Sequence, residues 1–156
     1  MTTVAIDKEF NIAADSQWNQ GDYKLRDLNK KVVKLKRGKY KGWYLCMSGA
    51  FHLFVDAIQR LEDDVPLEAD STNDHDSYLN LFLVSQEDKR ILMTAPFLKG
   101  KWRKHKVPAA TGTGGPLAMA AMYSGASAKK AVSVAVKMDV YSGGRIQSIL
   151  NPKFEG

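Results

Sequence analysis

The sequences TGTGGP at residues 111–116 and DVYSGG at residues 139–144 organise the last third of the chain. Pro116 suits the first turn of a helix, because its φ is already helical and it lacks the N–H that would go unpaired there. Ser127 can cap a second helix, and the two glycines of DVYSGG favour a turn into a final strand over residues 145–150. The apolar spacing predicts that the second helix directs these side chains inward: Ala131, Val132, Ala135, Val136 and Met138.

The first two thirds of the chain show strand patterns in pairs around polar turns. The predicted strand pairs are 3–10 with 12–16, 31–35 with 43–47, and 78–85 with 90–94. Residues 99–107 are predicted as a basic edge strand. Runs of strands alternate with runs of helices, so the pattern favours an α+β fold over a parallel α/β fold. At 156 residues the chain is expected to be one domain, 1–156.

A change to helical spacing after residue 49 predicts one further helix. Its apolar stripe consists of Phe51, Phe54, Val55, Ile58 and Leu61. Ser48 is predicted as the cap at its start. These aromatic side chains are interpreted as core residues rather than as a binding site.

Composition bears on several classes of protein. The single cysteine, Cys46, allows no internal disulfide, and three scattered histidines do not form a zinc-ligand cluster, so neither a metal nor a cofactor is predicted. No apolar run approaches the length needed to cross a bilayer, and the first residues do not resemble a signal peptide. A cytoplasmic protein with no membrane partner is expected.

The net charge of +6 raises the question of nucleic-acid binding. Basic residues concentrate in two stretches, 30–41 and 99–106, whereas residues 62–76 are acidic. Solvated lysines on loops and strand edges are the simpler interpretation of both stretches. Because no nucleic-acid-binding motif accompanies the charge, nucleic acid is considered an unlikely partner.

The candidate nucleophile is Thr2. The chain has no G-x-S-x-G sequence, and Cys46 lacks neighbours that would mark an activated thiol. Removal of Met1, common before a small residue, would give Thr2 a free α-amino group. That amine has a reference pKa of about 7.7 to 8.0, so its neutral fraction could accept the hydroxyl proton of the same residue. A start of Met-Thr is common, and by itself it is only a weak signal.

Six segments in order along the chain make the sequence similar to proteasome β subunits and the bacterial HslV peptidase. The segments are TTVAI at 2–6, IAADS at 12–16, NKKV at 29–32, CMSG at 46–49, TGTGGP at 111–116 and DVYSGG at 139–144. The last two are the most specific. The resemblance implies an N-terminal-nucleophile hydrolase fold, a four-layer αββα sandwich of two antiparallel sheets between helix layers.

The resemblance also implies roles for particular residues. Thr2 would attack the scissile carbonyl, and Lys31 would lower the pKa of its hydroxyl through a nearby positive charge. Asp15 would orient that lysine, although Lys30 also fits the lysine position. The backbone N–H of Gly49 would stabilise the oxyanion.

Three more residues are implied on the other side of the nucleophile. Asp139 and Ser142 would position the threonine amine, and Thr113 would lie near the same site, where the family more often has serine. A purely structural interpretation of Ser142 and the glycines after it is a helix-ending turn.

The function implied is a threonine endopeptidase subunit of a self-compartmentalised complex that degrades proteins or peptides. The resemblance also implies a homo-oligomeric ring, hexameric or heptameric and single or stacked, that works with an ATPase unfoldase or an α-type subunit. The alternative is a catalytically inactive, proteasome-like scaffold or assembly protein, since a fold alone does not establish a function.

Overall fold

The computed structural model describes residues 2–20, 23–26, 30–67, 79–95 and 98–152, and for 19–20 and 23–26 it describes the backbone alone. Several predictions fall outside these residues: those on Met1, on residue 29 of the lysine segment, on residue 78 and on residues 68–76 of the acidic segment. The chain comprises two compact units, which are Met1–Val32 with Lys106–Gly156, and Val33–His105.

Strands and helices alternate in runs along the chain. In chain order they are β1 (Val4–Ile6), β2 (Ile12–Ala14), β3 (Gln17–Gln20), β4 (Tyr23–Arg26), β5 (Val32–Lys34), β6 (Tyr44–Gly49), α1 (Phe51–Glu62), β7 (Leu79–Ser85), β8 (Arg90–Thr94), β9 (Arg103–Lys104), β10 (Ala109–Thr111), α2 (Gly115–Tyr123), α3 (Ala128–Met138) and β11 (Gln147–Ile149). No helix among the described residues is long and apolar enough to cross a membrane.

The first unit has a four-stranded antiparallel sheet in the order β10-β1-β2-β11, and a separate β3–β4 hairpin. Val4 lies opposite both Ala14 and Thr111, so the predicted N-terminal hairpin is confirmed with shorter strands. The turn between β1 and β2 is held by Asp7, whose Oδ1 accepts hydrogen bonds from the N–H groups of Glu9 and Asn11. Because Val4 lies opposite Thr111, the residues just before β1 lie beside the loop that follows β10.

Small side chains form much of the core between this sheet and its helices. Buried members of that core are Ala5, Ala13, Ala118, Met122, Ala128, Ala131 and Val132. Small alanine side chains let the elements of this core pack closely.

Both predicted helix starts in this unit are confirmed. Pro116 lies in the first turn of α2, and the Ser127 side chain accepts a hydrogen bond from the N–H of Lys130 at the start of α3. The prediction that Met138 points inward is wrong, because this side chain is 67% exposed. Met138 is the last residue of α3, beyond Ala135, the last buried position of the helix.

The second unit is built around a sheet in the order β5-β6-β7-β8-β9. β6, β7 and β8 pair antiparallel, with Leu45 opposite Leu83 and Leu83 opposite Leu92, which confirms the predicted strand pair around the turn at residues 86–89. The predicted basic edge strand is present as the two-residue β9, which pairs with β8.

Two details of α1 differ from the prediction. Ser48 does not cap the helix, since β6 continues to Gly49 and the helix N-cap is Ala50, which makes no side-chain capping bond. Val55 is half exposed rather than in the core, because the buried line of the helix is Phe54, Ala57 and Leu61. Val55 is about 100° around the helix from Phe54 and lies beside that line.

Candidate active site

Thr2 is the residue around which the site is built, and it lies two residues before the start of β1. Its carbonyl oxygen accepts a hydrogen bond from the N–H of Gly114 at 3.1 Å. The side chain of Thr2 is buried, and its Oγ1 has no hydrogen-bond partner among the residues that the structure describes. A buried hydroxyl without a hydrogen-bond partner is costly to a folded protein, and a catalytic role is one explanation for such a group.

The loop before α2 requires glycine where it passes Thr2. Gly112 has φ +93°, and a Cβ there would lie 2.1 Å from the Thr2 carbonyl oxygen. A Cβ on Gly114 would lie 1.9 Å from Thr3 Oγ1. The glycines of TGTGGP thus allow the loop to contact the backbone of the N-terminal segment directly.

The nitrogen of Thr2 begins a chain of hydrogen bonds that ends on a carboxylate. Thr2 N donates to Thr113 Oγ1 at 3.3 Å, and Thr113 Oγ1 donates to Asp139 Oδ2 at 2.7 Å. Ser142 Oγ donates to the same carboxylate oxygen at 2.6 Å. The structure therefore brings Thr2, Thr113, Asp139 and Ser142 together in one network.

Thr3 extends this network and was not identified from the sequence. Its Oγ1 lies 2.7 Å from Ser142 Oγ. The single hydroxyl proton of Ser142 is already directed at Asp139, so Thr3 donates and Ser142 accepts. The hydroxyl protons of Thr3, Ser142 and Thr113 are thus all directed along these hydrogen bonds toward the Asp139 carboxylate. In such an arrangement each hydrogen bond polarises the next.

The ion pair of Asp15 and Lys31 is connected to the network through the backbone N–H of Thr3. Lys31 Nζ is 2.7 Å from Asp15 Oδ1, both side chains have no exposed surface, and Lys31 also donates to the carbonyl oxygen of Gln17. Thr3 N donates to the same Asp15 oxygen at 3.0 Å. Lys30, by contrast, is exposed, so Lys31 is the lysine that pairs with Asp15.

The Asp15 carboxylate is saturated with hydrogen bonds. Besides Lys31 and Thr3 on Oδ1, its Oδ2 accepts from Gln17 N at 3.3 Å and Gly143 N at 3.0 Å. Gly143 is part of DVYSGG, so Asp15 ties the lysine to the same turn that carries Ser142. Thr3 and Asp15 together join the two halves of the network.

The pKa values of Lys31 and Asp139 are both lowered, which disfavours the charged form of the lysine and favours the charged form of the aspartate. Burial lowers the pKa of Lys31 from its ordinary value, although the neighbouring Asp15 carboxylate opposes that change. For Asp139, burial raises the pKa, but hydrogen bonds from Ser142, Thr113 and the N–H of Tyr141 outweigh it and hold the pKa below the ordinary 3.8. Asp139 is therefore anionic at neutral pH and able to act as the end point of the chain.

Gly49, the predicted oxyanion donor, belongs to the second unit. It is the last residue of β6, lies opposite Leu79 and has φ +118°, a conformation that favours glycine. Its role as an oxyanion donor stays a prediction. Cys46 on the same strand is fully buried, and burial raises the pKa of its thiol far above the ordinary value, so it is protonated and unreactive at neutral pH.

The remaining sequence candidates concern metals and polyanions. Across the described ranges, no three His, Cys, Asp or Glu side chains are grouped so that they could hold a metal ion. In the second unit, the two basic stretches border one pocket of about 460 Å³, with Lys39 and Tyr40 from the first and Gly100 and Trp102 from the second. The carboxylate of Asp64 also lines this pocket, which makes it less suited to an anion.

No protein-family model matches the chain, and no curated protein matches it in sequence. Solved structures do match. HslV from Trypanosoma brucei superposes with a TM-score of 0.71 at 17% identity, over 96% of this chain and 98% of that one. Thiobacillus denitrificans BPH in complex with epoxomicin gives 0.68 at 18% identity, over 96% and 97%. Anbu, an ancestral β-subunit from Yersinia bercovieri, gives 0.70 at 14% identity, over 96% and 80%.

These likenesses define the class of fold. The chain has the α+β fold of proteasome-like, HslV-type N-terminal-nucleophile hydrolases, so the predicted fold class and the resemblance on which it was based are confirmed. The identities are low, and the likeness therefore establishes the fold and leaves the activity to be argued from the site.

Proposed function

We propose that the chain is a threonine-type peptidase subunit in which Thr2 is the nucleophile once Met1 is removed. The observation that carries the proposal is the contrast between the two ends of Thr2. Its hydroxyl is buried and unpartnered within the described residues, whereas its nitrogen begins the hydrogen-bond chain to Asp139. The hydroxyl thus has no hydrogen bond to give up before it reacts, and the nitrogen is held in place.

In the proposed reaction the Thr2 Oγ1 attacks the scissile carbonyl carbon and its proton passes to the neutral α-amine, directly or through water. The C–N bond of the tetrahedral intermediate then breaks, and the amine returns the proton to the leaving nitrogen. Water attacks the resulting ester with the same amine as base, which releases the product and restores Thr2. The N–H of Gly49 would stabilise the oxyanion in both steps.

The surrounding residues support particular parts of this reaction. The Thr113 hydroxyl accepts one N–H of Thr2, which would fix the direction of the amine lone pair. The ammonium of Lys31 would lower the pKa of the Thr2 hydroxyl, and Asp15 would hold that ammonium. Asp139 accepts the hydrogen bond of the Thr113 hydroxyl, and Ser142 donates to the same carboxylate oxygen, so both would help to position the amine of Thr2.

The proposed assembly is a homo-oligomeric ring of six or seven subunits, single or stacked, that cleaves peptides or unfolded proteins in the cytoplasm. An ATPase unfoldase or an α-type subunit is the proposed partner that delivers substrate. The fold likeness to HslV and to an ancestral β-subunit supports this assembly. A catalytically inactive scaffold with the same fold is the alternative, and it predicts rings whose formation does not depend on the Thr2 hydroxyl.

The test is the intact mass of the purified protein before and after treatment with an epoxyketone such as epoxomicin, the ligand solved with Thiobacillus denitrificans BPH. We expect loss of Met1 and one adduct. Thr2→Ala should give no adduct and should lower peptide cleavage by about 10³-fold or more, because the nucleophile is gone.

Thr94→Ala is the matched control for this variant. Thr94 is also a buried threonine whose hydroxyl has no partner among the described residues, but it lies on β8 in the second unit. The control should form the adduct like the unmodified protein. Retained Met1 with no adduct would support the scaffold instead, and an adduct on Thr2→Ala would place the nucleophile elsewhere.

A further inference from the structure

Trp18 on β3 makes a contact that the proposed mechanism does not use. The Nζ of Lys31 lies 4.9 Å from the centroid of the Trp18 ring, which is within the range of a cation–π interaction. Trp18 is half-buried, whereas Lys31 is fully buried. The indole therefore contacts a fully buried ammonium group while part of the Trp18 side chain remains exposed.

The contact completes the surroundings of the lysine. Its ammonium has three N–H groups, and among the described residues two of them are used, by Asp15 Oδ1 and by the carbonyl oxygen of Gln17. Removal from water disfavours the charged form of a lysine, and the electron-rich face of an indole offsets part of that loss without a hydrogen bond. Tryptophan is the side chain that does this best.

We propose that Trp18 is a positioning residue for Lys31, which holds the ammonium group over the indole face, keeps it charged and keeps it directed at Asp15. The catalytic consequence rests on the proposed function, in which the charge of Lys31 activates the Thr2 hydroxyl. The contact itself does not depend on that function and can be tested separately.

Within the part of the chain that the structure describes, two other charged groups act on Lys31, and both are acidic. Asp15 follows β2 and contacts the ammonium directly, and Asp139 follows α3 and acts at longer range. Both favour the protonated lysine, while burial lowers its pKa. Loss of the ring removes one of the groups that oppose burial, so the pKa of Lys31 should fall further in a Trp18 variant.

The first measurement is NMR of the full chain labelled at the ε-carbon of lysine, with the Lys31 signal assigned from its absence in Lys31→Arg. Protons above an indole face are shifted upfield by its ring current, so Lys31 should be an outlier among the lysines. Trp18→Leu should remove that upfield shift and lower the lysine pKa by about one pH unit, equivalent to a tenfold change in protonation.

A matched control and a conservative variant guard against a general loss of structure. Trp43→Phe alters another half-buried tryptophan with a cation at its ring, the Arg90 guanidinium 5.7 Å away in the second unit, and it should leave the Lys31 signal unchanged. Trp18→Phe keeps an aromatic face, so it should retain part of the upfield shift and an intermediate pKa, even if the leucine variant folds poorly.

The second measurement is the pH dependence of epoxyketone adduct formation. In Trp18→Leu the alkaline limb should move to lower pH by the same amount as the Lys31 pKa, which a purely structural role would not produce. An unchanged Lys31 signal in both Trp18 variants would overturn the proposal whatever the activity. A changed signal in a protein that forms no adduct would overturn the proposed function and leave the Trp18 contact standing.

Discussion

The two units of the chain differ in how far their charged side chains are buried. The ion pair of Lys31 and Asp15 in the first unit has no exposed surface, whereas that of Arg37 and Asp63 in the second unit leaves 63% and 41% of its side chains exposed. Among the described residues, the buried charged side chains, Asp7, Asp15 and Lys31, all lie in the first unit. Buried polar residues of the second unit are neutral: Ser48, Ser85, Gln86 and Thr94.

The buried charges of the first unit carry a free-energy cost that the exposed charges of the second unit do not. Removing a charge from water is expensive and is tolerated only where hydrogen bonds and an opposite charge replace the water. Asp15 obtains four such bonds and Asp139 is the end point of a hydroxyl chain. Concentrated buried charge of this kind is typical of functional sites, which agrees with the location of the proposed nucleophile.

The largest effect is expected when one charge is removed from each of the two ion pairs and the losses in stability are compared. Lys31→Met should lower the free energy of unfolding by about 3–5 kcal/mol, because the Asp15 carboxylate is left buried without its cation. Arg37→Met should lower it by less than about 1 kcal/mol, since water replaces the lost partner. Urea unfolding at neutral pH measures both. Equal losses in the two variants would mean that the Lys31 site is far better hydrated than the structure indicates.

A second test compares two glycines with similar positive φ angles. Gly112 and Gly42 have φ of +93° and +87°, but a Cβ at Gly42 would meet no atom within 4 Å. Gly42→Ala should therefore cost only the conformational term of about 1–2 kcal/mol. Gly112→Ala should cost more and should also slow epoxyketone adduct formation, because its Cβ would displace the carbonyl of Thr2.

Unfolding free energies and adduct rates of the two alanine variants give the comparison. If Gly112→Ala reacted as fast as the unmodified protein, the close approach of the TGTGGP loop to Thr2 would not be important for the site.

The smallest expected effect concerns pH and Asp139. Its folded pKa lies below the ordinary 3.8, so its contribution to stability is complete above 3.8 and is lost as the pH falls through the folded pKa. The difference in unfolding free energy between the unmodified protein and Asp139→Asn should thus be constant near neutral pH and shrink below 3.8. Because this carboxylate is partly exposed, the change should be below about 1 kcal/mol.

Ser142→Ala removes one of the donors to Asp139 and should give an intermediate pH dependence in the same unfolding series. A difference between the unmodified protein and Asp139→Asn that grows as the pH falls below 3.8 would contradict the direction of the pKa shift.

Much of the secondary structure could be predicted because its signals are local. Pro116, the Ser127 cap and the alternating strands around short polar turns each depend on residues within a few positions. The β3–β4 hairpin and β10 were not predicted. The sequence of β3, QWNQ, contains one strongly strand-favouring residue, and β10 is the short, small-residue segment AAT, so both strands exist because neighbouring strands pair with them.

Parts of the site were missed for a related reason. The contact of Trp18 is with Lys31 and that of Thr3 is with Ser142, and both partners are distant in sequence. Neither Trp18 nor Thr3 has a local sequence pattern that marks such a contact. The start TTVAI did contain Thr3, but a second threonine beside a candidate nucleophile has no specific meaning until Ser142 is placed against it.

The amino-acid order alone gave the α+β class and the family resemblance, because turns, caps and short motifs are local chemistry. It also named the candidate site residues Thr2, Asp15, Lys31, Gly49, Thr113, Asp139 and Ser142. For the lysine it named Lys31 but kept Lys30 as a competitor for the same position. Adjacent residues in extended chain point to opposite sides, so a shift of one residue in register exchanges which lysine is buried. Only the packed structure, in which Lys31 lies between Asp15 and Trp18, distinguishes them.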